Sequence, residues 1–320
     1  MADARLNQAS TWLAQLEYTP DFELLPLAGD ASFRRYFRVL THEQSYILMD
    51  APPEKEDISP FIHICLWLEQ SGLNVPAIIA RNQDQGFLLL QDFGDVTWSV
   101  YHHQHHHIDN LFQDALRQLH MLQKAKPGLD LPLFDVPRMQ RECDLYLDWY
   151  LPLIKKHTPN QAERQAFHAA LLPLLEEIHQ LPQAPVHLDY HSRNLMVPDD
   201  GLPLGVIDFQ DAVLGPVTYD LASLLYDCYQ DYPEHERRKW SKSFHAALPE
   251  KYSTCFTDFE AWHKALRLTA LQRHIKVLGI FARLAYRDGK TQFLNEIPLT
   301  HKHFRDELNA LSLKLPLLNA

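Results

Sequence analysis

His187-Leu188-Asp189-Tyr190-His191-Ser192-Arg193-Asn194, followed by Gly205-Val206-Ile207-Asp208-Phe209, sets two carboxylates and a carboxamide at a spacing suited to phosphoryl transfer. The run 185–188 has the pattern of a short strand, so Asp189 falls on the loop that leaves it, facing an acceptor hydroxyl as base. Asn194 lies at the far end of that loop. Residues 194–197 and 204–207 are apolar around Asp199-Asp200-Gly201, the pattern of a β-hairpin whose end delivers Asp208 beside Asn194. Phosphoryl transfer asks little covalent chemistry of a protein; it asks for position, a base and cations spread over the phosphate oxygens. Magnesium suits such a set, because it takes one or two carboxylates and completes its shell with substrate phosphates. A lone H-x-D could be a turn cap. The full H-x-D-x-x-x-x-N with a strand ending in I-D-F predicts a catalytic site: Asp189 as the catalytic residue, Asn194 and Asp208 as Mg²⁺ ligands, and ATP as the phosphoryl donor.

The elements that must position this loop are legible from periodicity. Residues 3–17 read as an amphipathic helix with Leu6, Trp12, Leu13 and Leu16 on one side. Strand-like runs follow at 22–27, 33–40 and 45–49, then a helix over 58–70, the segment 75–79 and a strand over 86–90. Gln91-Asp92-Phe93-Gly94-Asp95 breaks the pattern as a hinge. Beyond it helices are expected at 108–123, 138–155, 161–180, 218–229, 234–247, 256–287 and 300–313, with Pro152 and Pro173 ending or kinking theirs. The reading is an α+β fold of two lobes: residues 1–93 form a small β-rich, nucleotide-covering N-lobe, and residues 94–320 form a large helical C-lobe carrying the catalytic loop, metal site and acceptor site. A chain of 320 residues is long enough for two lobes with a cleft between them.

The catalytic segment, with Gly215-Pro216-Val217-Thr218-Tyr219-Asp220-Leu221-Ala222 after it, resembles the aminoglycoside phosphotransferase-like kinases, relatives of the protein kinases. That resemblance implies that His187 and Asp220 anchor the catalytic loop rather than touch substrate. Three further segments (residues 29–36, 49–57 and 271–281) look like those of bacterial anomeric kinases of N-acetylmuramate and N-acetylglucosamine. The likeness runs from about residue 28 to 284, and implies ATP-dependent phosphorylation of the C1 hydroxyl of a cell-wall sugar.

On the nucleotide side, Gly29-Asp30-Ala31-Ser32 between two strands is the candidate phosphate-covering loop, with its backbone N–H groups and the Ser32 hydroxyl as donors. The hinge, from Leu90 through Asp92 to Phe93, offers backbone groups to the adenine edge, with Leu88 and Leu195 as apolar walls. One departure stands out. The strand that carries a phosphate-pairing Lys in the wider family reads Tyr46-Ile47-Leu48-Met49-Asp50, and Phe61 holds the position of the partnering helix Glu. Losing both charges together avoids burying one unpaired. Arg34, Arg35 and Lys55 are the candidate replacement cations.

On the acceptor side, Tyr190, His191, Arg193, Gln210 and Asp211 follow the two functional carboxylates and are expected near the substrate. Trp149 is a candidate sugar platform. The 256–287 helix carries Lys264, Arg267, Arg273, His274, Lys276, Arg283 and Arg287; most are expected in solvent, with Arg273 or Lys276 reaching a carboxylate on the sugar. Such a basic face disfavours a polycationic acceptor. The net charge of −11 argues against nucleic acid or an anionic membrane surface as partner. Four scattered cysteines without a C-x-x-C pair, no charged-then-apolar leader and no long apolar run predict a cytoplasmic protein without an obligate protein partner. Histidines 102, 103 and 105–107 read as a polar loop rather than a metal site. Two rivals remain open: a kinase of another small hydroxyl (choline, a hydroxy-amino acid, an antibiotic), and a catalytically silent nucleotide-binding pseudokinase suggested by the missing Lys–Glu pair.

Overall fold

Phe87-Leu88-Leu89-Leu90 is buried at every position, and its alternation organises the N-lobe. Successive strand side chains point to opposite faces. Phe87 and Leu89 therefore enter one apolar cluster with Ala9, Trp12 and Leu13, while Leu88 and Leu90 enter a second with Phe61, Ile62 and Leu68. The structure, a computed structural model, describes residues 3–27, 33–104, 108–126, 128–199, 201 and 203–318. Its N-lobe holds α1 (Ala4–Leu13), β1 (Glu23–Pro26), β2 (Arg35–Leu40), β3 (Ser45–Asp50), α2 (Ser59–Gln70), β4 (Ile78–Asn82) and β5 (Phe87–Gln91). The strands form one antiparallel sheet in the order β1-β2-β3-β5-β4, with α1 on one face and α2 on the other.

The C-lobe opens with α3 (Trp98–Gln104), α4 (Asp109–Lys124) and α5 (Val136–Leu145). A π-helical turn, Tyr146–Tyr150, leads into the short α6 (Leu151–Leu153). Next comes α7 (Gln161–His179), started by a reciprocal Asn160–Glu163 capping box. It runs on past Pro173, so of the two expectations for that residue, ending the helix or kinking it, the first does not hold. The strands β6 (Gln183–Val186), β7 (Leu195–Met196), β8 (Gly205–Val206) and β9 (Val213–Pro216) form two small pairs, β6 with β9 and β7 with β8. Then follow α8 (Tyr219–Leu225), α9 (Glu234–Ala246), α10 (Glu250–Ser253), α11 (Phe259–Tyr286), a 3₁₀ segment at Thr291–Glu296 and α12 (Ile297–Ala310).

The 28-residue α11 is the axis of the C-lobe. Its Leu271, Ile275, Leu278 and Phe281 pack with Tyr146, Tyr150 and Phe167, and with Phe304 from α12. The expected solvated basic face is absent over much of this helix: Arg273 and His274 are buried, and Arg267 and Lys276 are largely covered. Carboxylates from distant segments neutralise these cations, as Glu142 does for Lys276 and Glu307 for Arg267. Gly279 lets α11 meet the end of α5 at backbone distance, since a Cβ there would lie 2.3 Å from the Leu145 carbonyl carbon. Gly279→Ala should therefore destabilise the protein by about 1–3 kcal/mol, the usual cost of overpacking; a denaturant midpoint equal to that of the unmodified protein would contradict so close an approach.

Among the described residues, no helix is long and apolar enough to cross a membrane. All four cysteines are free, with Cys255 exposed and the other three buried.

Candidate active site

The loop after β6 is held at both ends by buried carboxylates. Asp220, in the first turn of α8, accepts the His187 N–H at 2.7 Å and the Leu188 N–H at 3.0 Å. Burial pushes its carboxyl up to about 7, opposed by those two donors. Asp227, which sequence reasoning missed, accepts the Ser192 N–H at 2.8 Å and the Tyr229 N–H at 2.7 Å. His187 ties the loop to the hairpin: its Nε2–H donates to the Ile207 carbonyl at 3.0 Å, and its Nδ1 accepts the Asp189 N–H at 3.2 Å. That pattern needs the neutral ring, and burial lowers its pKa to about 4. Two residues take left-handed backbone conformations here, Leu188 at φ 77° and Asp208 at φ 64°. Strain of this kind persists only where the surroundings over-determine it. Asp220→Ala would leave two buried N–H groups without their acceptor, so stability should fall by about 2–4 kcal/mol and turnover with it. A thermal melt and kcat both matching the unmodified protein would remove Asp220 from this role.

These constraints bring the three residues of the chemical motif together. Asn194 Nδ2 donates to the Asp189 carbonyl at 3.0 Å and to Asp208 Oδ2 at 3.2 Å. Gln210 Nε2 donates to Asp208 Oδ1 at 2.7 Å. Burial alone would raise Asp189, but the positive field of Lys276, followed by His191 and Arg273, holds its carboxyl below the ordinary range. Lys276 is itself fixed by Glu142 at 3.3 Å. Arg273 does not reach the cavity: it is 3 % exposed and donates to Cys228 Sγ at 3.6 Å, which makes it a buried counter-charge beneath the loop.

A cavity of about 600 Å³ opens between the sheet of the N-lobe and this loop. Six residues expected at the site line it: Leu90, Asp92, Arg193, Asn194, Asp208 and Gln210. Its apolar walls are Leu27, Ile47, Phe61, Met196 and Phe209. Leu88 and Leu195, expected as walls, are fully buried in the core behind them. The Phe61 and Phe209 rings lie tilted against each other at 5.0 Å in the same apolar cluster as Met49, so the position of the missing helix Glu is packed among apolar groups.

The candidate cations divide. Arg34 is buried, pairs with Glu56 at 2.5 Å and lies 5.6 Å over the Phe61 ring at the cavity wall. Arg35 is committed to Asp50 at 2.5 Å and to Asp3. Lys55 lies over Phe33 at 5.0 Å. Arg38 was missed: it lines the cavity and grips Asp92 at 2.6 Å and Asp95 at 2.8 Å. Its place in β2 opposite Ile47 put it there, a cross-strand relation that no local motif announces. Gly29 and Ser32 fall outside the described residues, as do His105, His106 and His107.

The other acceptor-side residues scatter. His191 is buried edge-on against Tyr229 at 5.2 Å. Tyr190 turns away from the cleft, donating its hydroxyl to the Ala115 carbonyl at 3.0 Å. Asp211 is exposed outside the cavity lining. Trp149 packs half-buried on the helical core, the structural fate of most aromatics at helical spacing.

The donor set suits a hard cation. Asp208 supplies carboxylate oxygens and Asn194 an amide oxygen, both held by hydrogen bonds within one hairpin. Among the described residues no cluster of three or more His, Cys, Asp or Glu forms a metal cage, so a cation here would take the rest of its shell from phosphate and water, as magnesium does.

Residues 23–255 match the model of the phosphotransferase enzyme family. A protein of Pseudomonas aeruginosa named N-acetylmuramate/N-acetylglucosamine kinase is 37 % identical over 314 residues, covering 92 % of this chain and 90 % of that one. One of the same name from Neisseria meningitidis serogroup B is 36 % identical, covering 92 % and 88 %. The fold is shared with an ADP-bound aminoglycoside phosphotransferase (TM-score 0.63, 18 % identity, 94 % of this chain and 99 % of that one). It is shared as well with a choline kinase of Streptococcus pneumoniae (TM-score 0.65, 12 % identity, 94 % and 99 %).

Proposed function

The chain belongs to the phosphotransferase enzyme family, and we propose that it is a cytoplasmic sugar kinase. It moves the γ-phosphate of ATP to the anomeric hydroxyl of N-acetylmuramate or N-acetylglucosamine, in the recycling of cell-wall sugars. The observation that carries this reading is that Asn194 and Asp208 meet on one cavity wall, with Asn194 also bonded to the Asp189 carbonyl, in a chain whose relatives are named N-acetylmuramate/N-acetylglucosamine kinase.

The residues divide the work by position. In this reading Leu90 and Asp92, on the cavity wall, offer backbone groups to the adenine edge, and Arg34, paired with Glu56 and lying over the Phe61 ring at that wall, balances phosphate charge. Asp189, kept ionised by Lys276 and Arg273, orients the acceptor hydroxyl and takes its proton as the new O–P bond forms and the β–γ bridge breaks, releasing ADP. An anomeric hydroxyl is more acidic than an ordinary sugar alcohol, so a weak carboxylate base suffices. Asn194 and Asp208 would hold Mg²⁺, which supplies positive charge to the phosphate oxygens. Asp220, His187 and Asp227 keep the loop in register throughout.

The names of the relatives favour an N-acetylated sugar over a polyamine as acceptor. ADP release with Mg·ATP, compared across N-acetylmuramate, N-acetylglucosamine, glucose and kanamycin, tests this. Turnover is expected with the two N-acetylated sugars. Turnover with kanamycin alone would move the protein to another acceptor class. Silence with all four would favour the nucleotide-binding protein without turnover that the missing Lys–Glu pair suggests.

A further inference from the structure

Arg193 stands immediately before Asn194, on the cavity wall, and two other segments of the chain converge on its guanidinium. Its central carbon lies 3.8 Å over the Tyr229 ring, from the segment after α8. The Phe293 ring lies 5.9 Å away, and Glu296 binds it at 2.5 Å; both come from the 3₁₀ segment between α11 and α12. Tyr229 is in turn braced by His191 at 5.2 Å and Phe281 at 5.9 Å. The pair remains partly open, with Arg193 39 % and Glu296 22 % exposed. This differs from Lys276 and Arg273, which are sunk under the loop and spent on protein carboxylates and sulfur.

A guanidinium is a flat fork with five donors, suited to binding a carboxylate along one edge. Stacking on Tyr229 fixes the plane of that fork, and Glu296 shows which anion it accepts. We propose that Arg193 reads a carboxylate on the acceptor sugar, and that Glu296 is a built-in competitor occupying the same fork until an acidic sugar displaces it. The inference rests on the functional reading above. It adds a specificity device to it: an acidic N-acetylated sugar engages the fork, whereas its neutral counterpart leaves the Arg193–Glu296 latch closed. The latch also joins the catalytic loop to the 3₁₀ segment, so acidic substrate would loosen that segment as it binds.

The test is the ratio of kcat/KM for N-acetylmuramate to that for N-acetylglucosamine. In Glu296→Gln the ratio should rise by about fivefold, the scale of a partly exposed ion pair. In Arg193→Gln it should fall by at least about tenfold, the scale of a charge-assisted hydrogen bond, with the change in KM rather than kcat. Arg193→Lys should fall between, because charge remains while the fork is lost. A purely structural tie would lower both sugars equally and leave the ratio unmoved in all three variants; that result overturns this inference alone. Silence of the unmodified enzyme with both sugars overturns the functional reading and this inference with it.

Discussion

Asp189→Asn should lower kcat by about 10²–10⁴-fold, the usual contribution of a positioned general base, while the protein still folds. The amide keeps the shape of the carboxylate and leaves the backbone contacts to His187 and Asn194 in place. What it removes is the acceptor of the hydroxyl proton. The cations beneath keep other partners, since Lys276 retains Glu142 and Arg273 retains the field of Asp227. The loss should therefore appear in kcat much more than in the KM for ATP, and near-normal turnover would remove Asp189 as base. A pH signature accompanies it. The folded carboxyl lies below its unfolded value, so its charge stabilises the fold above about pH 4 and that stability is lost as pH falls through the lower, folded pKa. The variant has no such group to titrate, and its melting temperature should fall less on acidification below pH 4 than that of the unmodified protein.

Asp208→Asn should cost about 10²–10³-fold in turnover, the scale of removing one preorganised electrostatic contact, with a raised requirement for Mg²⁺. The substitution is clean because of the backbone. Asp208 sits at φ 64°, a conformation that Asn tolerates well and most other residues do not. Asn should therefore keep the melting temperature, whereas Asp208→Ala should lose activity and about 1 kcal/mol or more of stability to strain. Equal Mg²⁺ dependence in Asp208→Asn and the unmodified enzyme would take Asp208 out of the cation site.

The residues that were legible in the sequence are those whose roles are fixed by local spacing. Asp189 and Asn194 share one loop, and Asp208 returns on the adjoining hairpin, so a single continuous stretch nearly specifies their meeting. The strand β5 and helices α4, α7 and α9 were legible for a similar reason, since period and caps are local. The failures are relations across the chain. Arg38 reaches the cavity through strand pairing, and Asp227 reaches the catalytic loop from 35 residues away. The basic residues of α11 were misplaced because solvent is the default for Lys and Arg. Here Glu142, Asp227 and Glu307, from three separate elements, make burial of those cations tolerable. The strand β9 was invisible because Val213-Leu214-Gly215-Pro216 is short and ends in residues that usually mark turns.

Anomeric transfer consumes the reducing end of the sugar, and transfer to any other hydroxyl leaves it intact. ADP formed and reducing sugar lost should therefore be measured in the same reaction, with Mg·ATP and either N-acetylated sugar. One reducing end lost for each ADP formed is the expected result. ADP formed with the reducing end fully retained would contradict transfer to the anomeric hydroxyl, and with it the central claim for this site.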